Sequence, residues 1–211
     1  MDKRLLYHMT HYHNLRSILE NGGLSAYSHI LKRNVSYTNM AHQNIQDRRA
    51  RRIIEVPPGG NLHDYVPFYF ATRSPMLSAL IHGRVQGFDD NEEDIIYLAT
   101  RTDIIKESNL PFVFSDGHGI IDITEFYNNL ADLDKVDWDI MKERYWKDTL
   151  EDPDRERRRQ AEFLVFQFVD INYFLGIGVK NEKMKQVVMD ILNEYGIDFP
   201  VLVRKNFYFG R

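Results

Sequence analysis

The chain has 211 residues, a formal net charge of −4 at pH 7 and no cysteine, and 43% of its residues are hydrophobic. This length and composition predict one domain over residues 1–211 with a full hydrophobic core. The missing cysteines exclude disulfides, thiolate metal sites and a cysteine nucleophile, and they fit a reducing cytoplasm. Because no apolar run approaches the roughly 20 residues that span a bilayer, we expect a soluble, cytoplasmic protein.

Short apolar runs of strand length and segments of helical spacing follow each other along the chain. Strands are predicted, in order, at residues 4–9, 66–71, 94–100, 112–114, 162–169, 201–204 and 207–209. Helices are predicted at residues 15–19, 74–80 (with Ser74 as N-cap and Pro75 as its first residue) and 181–195. Residues 25–55 lack clean periodicity and are typical of a functional or disordered loop, and residues 123–147 are predicted as helix or loop. Since the strands cluster instead of alternating strictly with helices, the pattern favours a mixed α+β domain over a doubly wound parallel sheet.

Glu162 stands where the basic run Arg157-Arg158-Arg159 changes into the apolar, strand-like run Phe163-Leu164-Val165-Phe166. A carboxylate at the start of a strand is well placed to face a cleft, and it is costly to bury unless something there uses its charge. Two interpretations are open. Glu162 is either an exposed edge residue paired with Arg158 or Arg159, or a carboxylate that orients a ribose and stabilises an oxocarbenium ion during glycosyl transfer.

His8 and Thr10 lie two residues apart on the first predicted strand, so their side chains face the same side. Together they are able to bind ribose hydroxyls and a carboxamide, although His8 could equally be a histidine with its hydrogen bonds satisfied by the fold. The chain's histidines show no metal-ligand spacing, so we assign no metal.

Two basic clusters, Arg48-Arg49-Ala50-Arg51-Arg52 and residues 155–159, flank these candidates. They predict contacts to the phosphates of a dinucleotide or of a nucleic-acid backbone, or else solvated helix ends. His42 and Asn44, beside the first cluster, could add contacts to bases.

The polar segment Asp116-Gly117-His118-Gly119 follows a predicted strand and is either an ordinary turn or a substrate loop with His118 as a contact. Tyr145 and Trp146 are aromatic side chains able to stack on a base, although most such residues serve packing.

Several blocks of residues, spread in order over nearly the whole chain, form a specific pattern: Tyr7-His8-Met9-Thr10, Ile45-Gln46-Asp47-Arg48-Arg49, Asp64-Tyr65-Val66-Pro67-Phe68-Tyr69-Phe70, Arg73-Ser74-Pro75-Met76-Leu77, Leu110-Pro111-Phe112-Val113-Phe114-Ser115-Asp116 and Gln160-Ala161-Glu162-Phe163-Leu164-Val165. Together they resemble the DarT toxins, which are DNA ADP-ribosyltransferases of bacterial toxin–antitoxin systems. The resemblance implies an ADP-ribosyltransferase fold, in which a split, mixed and mostly antiparallel sheet with flanking helices surrounds an NAD cleft.

The same resemblance implies roles for individual residues. Glu162 would be the catalytic glutamate and Arg49 the catalytic-site arginine. The implied contacts to NAD are His8, Thr10, Asn14, Tyr69, Ser74 and Met76. The candidate contacts to substrate DNA are Arg48, Arg51, His118, Tyr145 and Arg159. The segment from His118 to Glu162 resembles the family's substrate loop, and the segment from Ser25 to Arg52 its NAD- and DNA-binding element.

The resemblance further implies NAD as co-substrate, single-stranded DNA as substrate and a macrodomain antitoxin as partner. The pattern is most similar to the branch that modifies thymidine, while another branch modifies guanosine. Transfer to guanine, RNA or protein stays open as an alternative, as does a non-catalytic module that binds single-stranded nucleic acid.

Overall fold

An eight-stranded mixed sheet organises the part of the chain that the computed structural model describes, residues 3–33, 43–85 and 90–210. The strands are β1 (Leu5–His11), β2 (Gly23–Ser25), β3 (Tyr65–Tyr69), β4 (Ile95–Arg101), β5 (Phe112–Ser115), β6 (Phe126–Tyr127), β7 (Glu162–Phe166), β8 (Phe168–Asp170), β9 (Gly176–Val179) and β10 (Val201–Val203). The strand order in the large sheet is β10-β9-β4-β1-β3-β7-β5-β6, and β2 pairs with β8 in a separate small sheet. Among these pairs only β9 and β10 are parallel, so the predicted mixed, mostly antiparallel α+β architecture is confirmed.

Helices cover the sheet and its edges. They are α1 (Asn14–Glu20), α2 (Tyr27–Arg33), α3 (Gln43–Arg51), α4 (Pro75–Ile81), α5 (Thr102–Glu107), α6 (Trp138–Lys142), α7 (Arg155–Arg159) and α8 (Glu182–Glu194). The predicted start of α4 is confirmed, because Ser74 Oγ accepts a hydrogen bond from Leu77 N at 3.2 Å and Pro75 is the first helical residue. Within the described ranges, no helix combines the length and the apolar character that crossing a bilayer requires.

The large sheet is split between β1 and β3. These neighbouring strands share a single paired position, Tyr7 with Tyr69, whereas β1 pairs with β4 along its whole length from Leu5 to His11. The backbone edge of β1 that follows Tyr7 is therefore not paired with β3. This split positions the candidate site, because His8 and Thr10 lie on β1 beyond the last paired residue.

The predicted strand at residues 162–169 is in fact two strands in two different sheets. Gln167 has a left-handed backbone with φ of 63°, which ends β7 and turns the chain toward β2. Its backbone N donates to Asp64 O at 2.8 Å, and its carbonyl accepts from Ala26 N at 2.7 Å. Because a single residue with positive φ leaves no trace in the apolar pattern, the break was not predicted.

Two further predictions about local structure were wrong. The described parts of residues 25–55, which are 25–33 and 43–55, contain α2 and α3 where a loop was predicted, since these polar helices are held by tertiary contacts and not by an apolar stripe; the rest of that prediction lies outside the described residues. Residues 207–209 do not form a strand; the chain makes a 3-10 turn at Lys205–Phe207, and Tyr208 Oη then donates to Ile95 O at 2.8 Å. The elements β2, β9, α5 and α7 were not predicted at all, and β6 lies in the segment 123–147 that was predicted as helix or loop.

A glycine in β2 permits the small sheet to form, which gives a testable prediction. Gly23 has φ of +156°, and a Cβ at this position would lie 2.1 Å from Val169 O. We expect Gly23→Ala to lower the free energy of unfolding by about 2–4 kcal/mol, because the β2–β8 pair has to open. Gly22→Ala is the matched control: its φ is +72° with no atom within 4 Å of the added Cβ, so only the backbone cost of about 1 kcal/mol applies. Equal losses in denaturant unfolding of the two variants would contradict the expectation.

Candidate active site

Glu162 is the first residue of β7 and lies directly opposite Tyr69 of β3. It is 2% exposed, so its interpretation as an exposed edge residue is wrong. The backbone N of Glu162 donates to Ser115 Oγ at 3.0 Å, which ties the start of β7 to the end of β5. The carboxylate is thereby held in a fixed place at the split of the sheet.

Three groups surround the Glu162 carboxylate. Arg49 Nη1, from α3, donates to Oε2 at 2.9 Å and to Oε1 at 3.2 Å. The backbone N of Gly119 donates to Oε1 at 3.1 Å, and His118 Nδ1 lies 3.6 Å from the same oxygen, beyond hydrogen-bond distance. The structure therefore brings together three predicted site residues, Glu162, Arg49 and His118, although Arg158 and Arg159 are not the partners of Glu162.

The surroundings of Glu162 keep it ionised. Burial by itself raises the pKa of a carboxyl group, but the positive charge of Arg49 and the neighbouring His118 outweigh burial and lower the pKa of Glu162 to about 2. The side chain is therefore a permanent anion at neutral pH. A fixed negative charge suits a group that stabilises positive charge in a transition state, and it is a weak proton acceptor.

The 116–124 loop, defined as residues 116–124 after β5, approaches the carboxylate through a glycine. A Cβ on Gly119 would lie 3.1 Å from Glu162 Oε1 and 3.2 Å from the side chain of Leu62. A residue with a side chain would thus crowd the position from which the Gly119 N–H donates. This loop was predicted as a candidate for substrate contact, but the contact between its backbone and Glu162 was not predicted.

A cleft of about 510 Å³ opens in front of Glu162. Its lining includes most of the residues predicted to bind NAD or DNA, namely His8, Thr10, Asn14, Arg48, Arg49, Tyr69, Met76, His118 and Glu162. Of the remaining predicted residues, Ser74, Arg51, Tyr145 and Arg159 do not line it. A cleft of this volume is within the range of small-molecule and cofactor sites.

The β1 side of the cleft carries a set of pre-arranged polar groups. His8 Nδ1 lies 2.8 Å from Pro67 O across the split, so this nitrogen carries the proton and donates. Asn14 Nδ2, in the first turn of α1, donates to Thr10 Oγ1 at 3.0 Å. These hydrogen bonds fix the orientation of the three side chains in the wall of the cleft.

Burial of His8 gives a prediction for its titration. Desolvation lowers the pKa of His8 from 6.5 to about 4, even though the hydrogen bond to Pro67 O favours the protonated ring. Between these two pKa values the unfolded chain binds a proton that the folded protein does not bind. The contribution of His8 to the free energy of unfolding is therefore expected to fall as the pH decreases from about 6.5 to about 4. An NMR titration in which the His8 ring stays neutral at pH 5 agrees with this; a midpoint near 6.5 contradicts it.

Tyr69 and Met76 form the opposite wall of the cleft. Tyr69 Oη donates to Met76 Sδ at 3.5 Å, and burial together with the charge of Glu162 raises the pKa of Tyr69, so its hydroxyl stays protonated. Ser74 was predicted beside them as an NAD contact, but this prediction needs correction. Its side chain is 2% exposed and its oxygen caps α4, so Ser74 shapes the wall without facing the cleft.

The first basic cluster lies on α3 and has mixed roles. Arg48 Nη2 donates to Ile120 O at 3.1 Å, and Arg52 Nη2 donates to Thr124 O at 3.0 Å, so both hold α3 against the 116–124 loop. Arg51 is exposed, and its Nε donates to Asp47 O in its own helix. Arg48 and Arg51 are both exposed, and their role in DNA binding stays a prediction.

Arg159 was predicted to contact DNA, and the structure corrects this. It is 4% exposed, and its guanidinium donates to the backbone carbonyls of Thr72, Ile140 and Met141. Burial lowers the pKa of Arg159 to about 10, and the nearby charge of Arg73 contributes to this shift. The buried Arg159 side chain therefore links α6 to the segment before α4 through hydrogen bonds. Tyr145, in contrast, is 77% exposed and lies outside the cleft, so its contact to a base also stays a prediction.

Two polar residues of the cleft wall, His63 and Gln46, were not predicted. His63 is 8% exposed, its Nε2 lies 3.0 Å from Gln46 Oε1, and its ring makes an edge contact with Tyr27. This trio joins α2 and α3 to the turn before β3. Gln46 stands inside a recognised sequence block, but nothing in the pattern pairs it with His63. The predicted contact from His42 lies outside the described residues, and Asn44 is exposed on α3.

His11, Asp90 and Asp94 place one potential ligand atom each within 4.8 Å of one another, a group that histidine spacing did not predict. The backbone N of His13 donates to His11 Nδ1 at 3.2 Å, which puts the ring proton on Nε2. Nε2 lies 3.2 Å from Asp90 Oδ2. A protonated nitrogen that faces a carboxylate explains this arrangement without a metal ion.

The sequence and the fold were compared with those of known proteins. A model of the family described as "DarT: ssDNA thymidine ADP-ribosyltransferase, DarT" matches residues 7–209. A DNA ADP-ribosyl transferase of Thermus sp. (strain 2.9) is 36% identical over 210 residues, which cover 97% of this chain and 95% of that protein. The solved structure of Thermus sp. 2.9 DarT in complex with ADP-ribosylated ssDNA matches with a TM-score of 0.89 and 35% identity, covering 98% of this chain and 96% of that one.

Two more matches have descriptions that bear on function. The structure of Thermus sp. 2.9 DarT in complex with NAD+ has a TM-score of 0.85 and 34% identity, over 98% of each chain. A protein of Thermosipho africanus (strain H17ap60334), described as a DNA ADP-ribosyl transferase-DNA ADP-ribosyl glycohydrolase fusion protein, is 27% identical over 208 residues. These cover 98% of this chain and 50% of the fusion protein.

Proposed function

This chain belongs to the DarT family of DNA ADP-ribosyltransferases, and from that premise we propose that it modifies thymine in single-stranded DNA as the toxin of a toxin–antitoxin system. The enzyme is a transferase with NAD as its co-substrate. The observation that carries the proposal is the buried, ionised Glu162 at the floor of a cleft whose walls hold His8, Thr10 and Asn14.

The reaction begins with the bond between nicotinamide and ribose. We place the nicotinamide ribose of NAD against Glu162, with the polar groups of His8, Thr10 and Asn14 around the dinucleotide. As this bond breaks, nicotinamide leaves with the bonding electron pair, and positive charge develops on the anomeric carbon. The fixed carboxylate of Glu162 stabilises that charge, which is the main electrostatic demand of glycosyl transfer.

The acceptor is the imide nitrogen of thymine, which forms the new bond to the anomeric carbon and releases its proton to solvent water. In double-stranded DNA this nitrogen is inside the base pair, so a single strand presents it without the cost of unpairing. The nitrogen is a poor nucleophile while it carries its proton. Arg49, whose guanidinium lies beside Glu162, stabilises the thymine anion that remains when the proton leaves.

A panel of short oligonucleotides tests this proposal. Strands that contain thymine, guanine, both or neither, and an RNA strand with uracil, are incubated with the protein and NAD and read by intact mass. We expect the added mass of one ADP-ribosyl unit on every strand that contains thymine and on no other strand. Addition only on guanine keeps the enzyme class and overturns the choice of base, while addition on RNA or on protein overturns the choice of DNA.

The proposed partner is a macrodomain antitoxin that removes ADP-ribose. Support comes from the resemblance of the chain to toxin–antitoxin proteins and from the relative that is fused to a DNA ADP-ribosyl glycohydrolase. Expression of the chain in a bacterial host is expected to stop growth, and co-expression of an active macrodomain glycohydrolase is expected to restore it. Restoration by a catalytically inactive macrodomain would instead indicate inhibition by binding.

A further inference from the structure

Arg157 of α7 lies at the centre of a polar network behind the 116–124 loop. Its Nη1 donates to Asp116 Oδ1 at 3.1 Å and to Thr124 Oγ1 at 3.3 Å. Its Nε and Nη2 donate to the two oxygens of Asp154 at 2.7 and 2.8 Å. The side chain is only 13% exposed. One arginine thus joins both ends of the loop to α7.

The same residue also fixes the middle of the loop. The carbonyl of Arg157 accepts a hydrogen bond from His118 N at 2.9 Å, and Thr124 Oγ1 donates to His118 O at 2.9 Å. The guanidinium packs against Gly117 so closely that a Cβ there would lie 2.3 Å from Nη1. Both peptide groups that flank the His118 side chain are therefore held, directly or through Thr124, by Arg157.

The held segment ends at the carboxylate of Glu162. Gly119, the next residue after His118, donates its N–H to Glu162 Oε1 at 3.1 Å. Arg157 itself is behind the loop and is not among the residues that line the cleft. Any effect of Arg157 on the reaction must therefore pass through the loop backbone.

We propose that Arg157 is a positioning residue for ADP-ribosyl transfer, which holds the 116–124 loop so that the Gly119 N–H and the His118 ring meet Glu162. This inference rests on the proposed catalytic role of Glu162. The residues that line the cleft do not show this requirement. Arg157 lies behind the loop and positions the groups that surround the Glu162 carboxylate.

Displacement of the 116–124 loop is expected to change the pH dependence of the reaction rate. The groups that face the Glu162 carboxylate are Arg49 from α3, His118 and the Gly119 N–H from the loop, and Tyr69 from β3. If the loop moves, the carboxylate keeps Arg49 but loses the contribution of the loop, so its pKa rises. A raised pKa means that Glu162 becomes protonated, and the enzyme inactive, at a higher pH than in the wild type.

The test compares kcat and the KM for NAD between pH 3.5 and 7, a range that brackets the ordinary glutamate pKa of 4.5, for the wild type and three variants. Arg157→Gln removes the guanidinium bonds to Asp116, Thr124 and Asp154 but keeps the backbone bond to His118, and Gly117→Ala displaces the guanidinium without removing its charge. Arg158→Gln is the control, because Arg158 lies on the same helix and pairs with Asp137 and Asp152 away from the loop. Melting temperatures of all proteins separate loss of fold from loss of positioning.

The expected result is a kcat about tenfold lower at pH 7 for Arg157→Gln, the effect of losing one hydrogen bond to a charged group. The KM for NAD stays near the wild-type value. The ratio of variant to wild-type kcat falls further as the pH approaches 3.5, because the raised pKa of Glu162 leaves part of the variant protonated there, and Gly117→Ala shows the same trend. Arg158→Gln gives a ratio that does not depend on pH.

A pH-independent ratio for both loop variants overturns the inference, as does a kcat that falls only in proportion to lost folded protein. If Arg157→Gln does not fold, Gly117→Ala alone decides, because it keeps every charge. Glu162→Gln, measured in parallel, separates this inference from the proposed function. If that variant is active, the role of Glu162 fails and the inference fails with it; if it is inactive while both loop variants match the wild type, only the inference fails.

Discussion

Replacing Glu162 with glutamine is expected to lower kcat for ADP-ribosyl transfer by about 10²–10³-fold, the loss typical of removing one aligned electrostatic group from a transition state. Glutamine keeps the size of the side chain and an oxygen that accepts from the Gly119 N–H, but it removes the negative charge. The developing positive charge on ribose then has no counter-charge at this position. Initial rates with NAD and a thymine oligonucleotide measure the effect.

Binding of NAD provides the control for this variant. Because the substitution changes charge and not shape, the affinity for NAD measured by calorimetry is expected to change much less than kcat. A variant that binds NAD normally and transfers ADP-ribose at the wild-type rate would remove Glu162 from the mechanism. Equal losses in binding and in kcat/KM would assign it to substrate binding alone.

Replacing Arg49 with glutamine is expected to cause the second large loss, about 10²-fold or more in kcat, together with a lower stability. The guanidinium is 13% exposed and Glu162 is 2% exposed, so the variant leaves a buried carboxylate with fewer partners. The pKa of Glu162 is then expected to rise, and the cleft loses the cation that stabilises the thymine anion. Steady-state rates and thermal unfolding measure the two effects separately.

Arg101→Gln is the matched control for this loss of stability. Arg101 forms a two-pronged pair with Asp103 at 2.9 and 3.0 Å, and the Asp103 side chain is 3% exposed. This pair also joins an arginine to a buried carboxylate, but it lies outside the cleft. We expect Arg101→Gln to unfold more easily and to keep its kcat. If both variants lose activity in proportion to stability, Arg49 has a structural role only.

The residues of the central strands were predictable because their local pattern and their environment agree. β1, β3 and β4 are short apolar runs, and the structure places them next to each other in the sheet. Glu162 was singled out because an acidic residue at the start of a buried strand conflicts with the cost of burial. That conflict is resolved by Arg49, a residue 113 positions away, which only the family pattern connected to it.

The three consecutive arginines of α7 show why other assignments failed. Residues in a helix are about 100° apart around its axis, so Arg157, Arg158 and Arg159 point in three directions. Arg157 faces the 116–124 loop, Arg158 pairs with surface aspartates, and Arg159 is buried among backbone carbonyls. The basic run looks uniform in the sequence, and its division into three roles depends on which segments the fold packs against each side.

The most direct test of the account uses two oligonucleotides that differ only in whether their single thymine carries a methyl group on the imide nitrogen. Each is incubated with NAD and either the wild-type protein or Glu162→Gln, and its intact mass is measured. We predict one ADP-ribosyl unit on the unmethylated strand with the wild type, addition about 10²–10³-fold slower with Glu162→Gln, and none on the methylated strand with either protein. Addition to the methylated strand would contradict the proposed acceptor, and addition by Glu162→Gln at the wild-type rate would contradict the proposed mechanism.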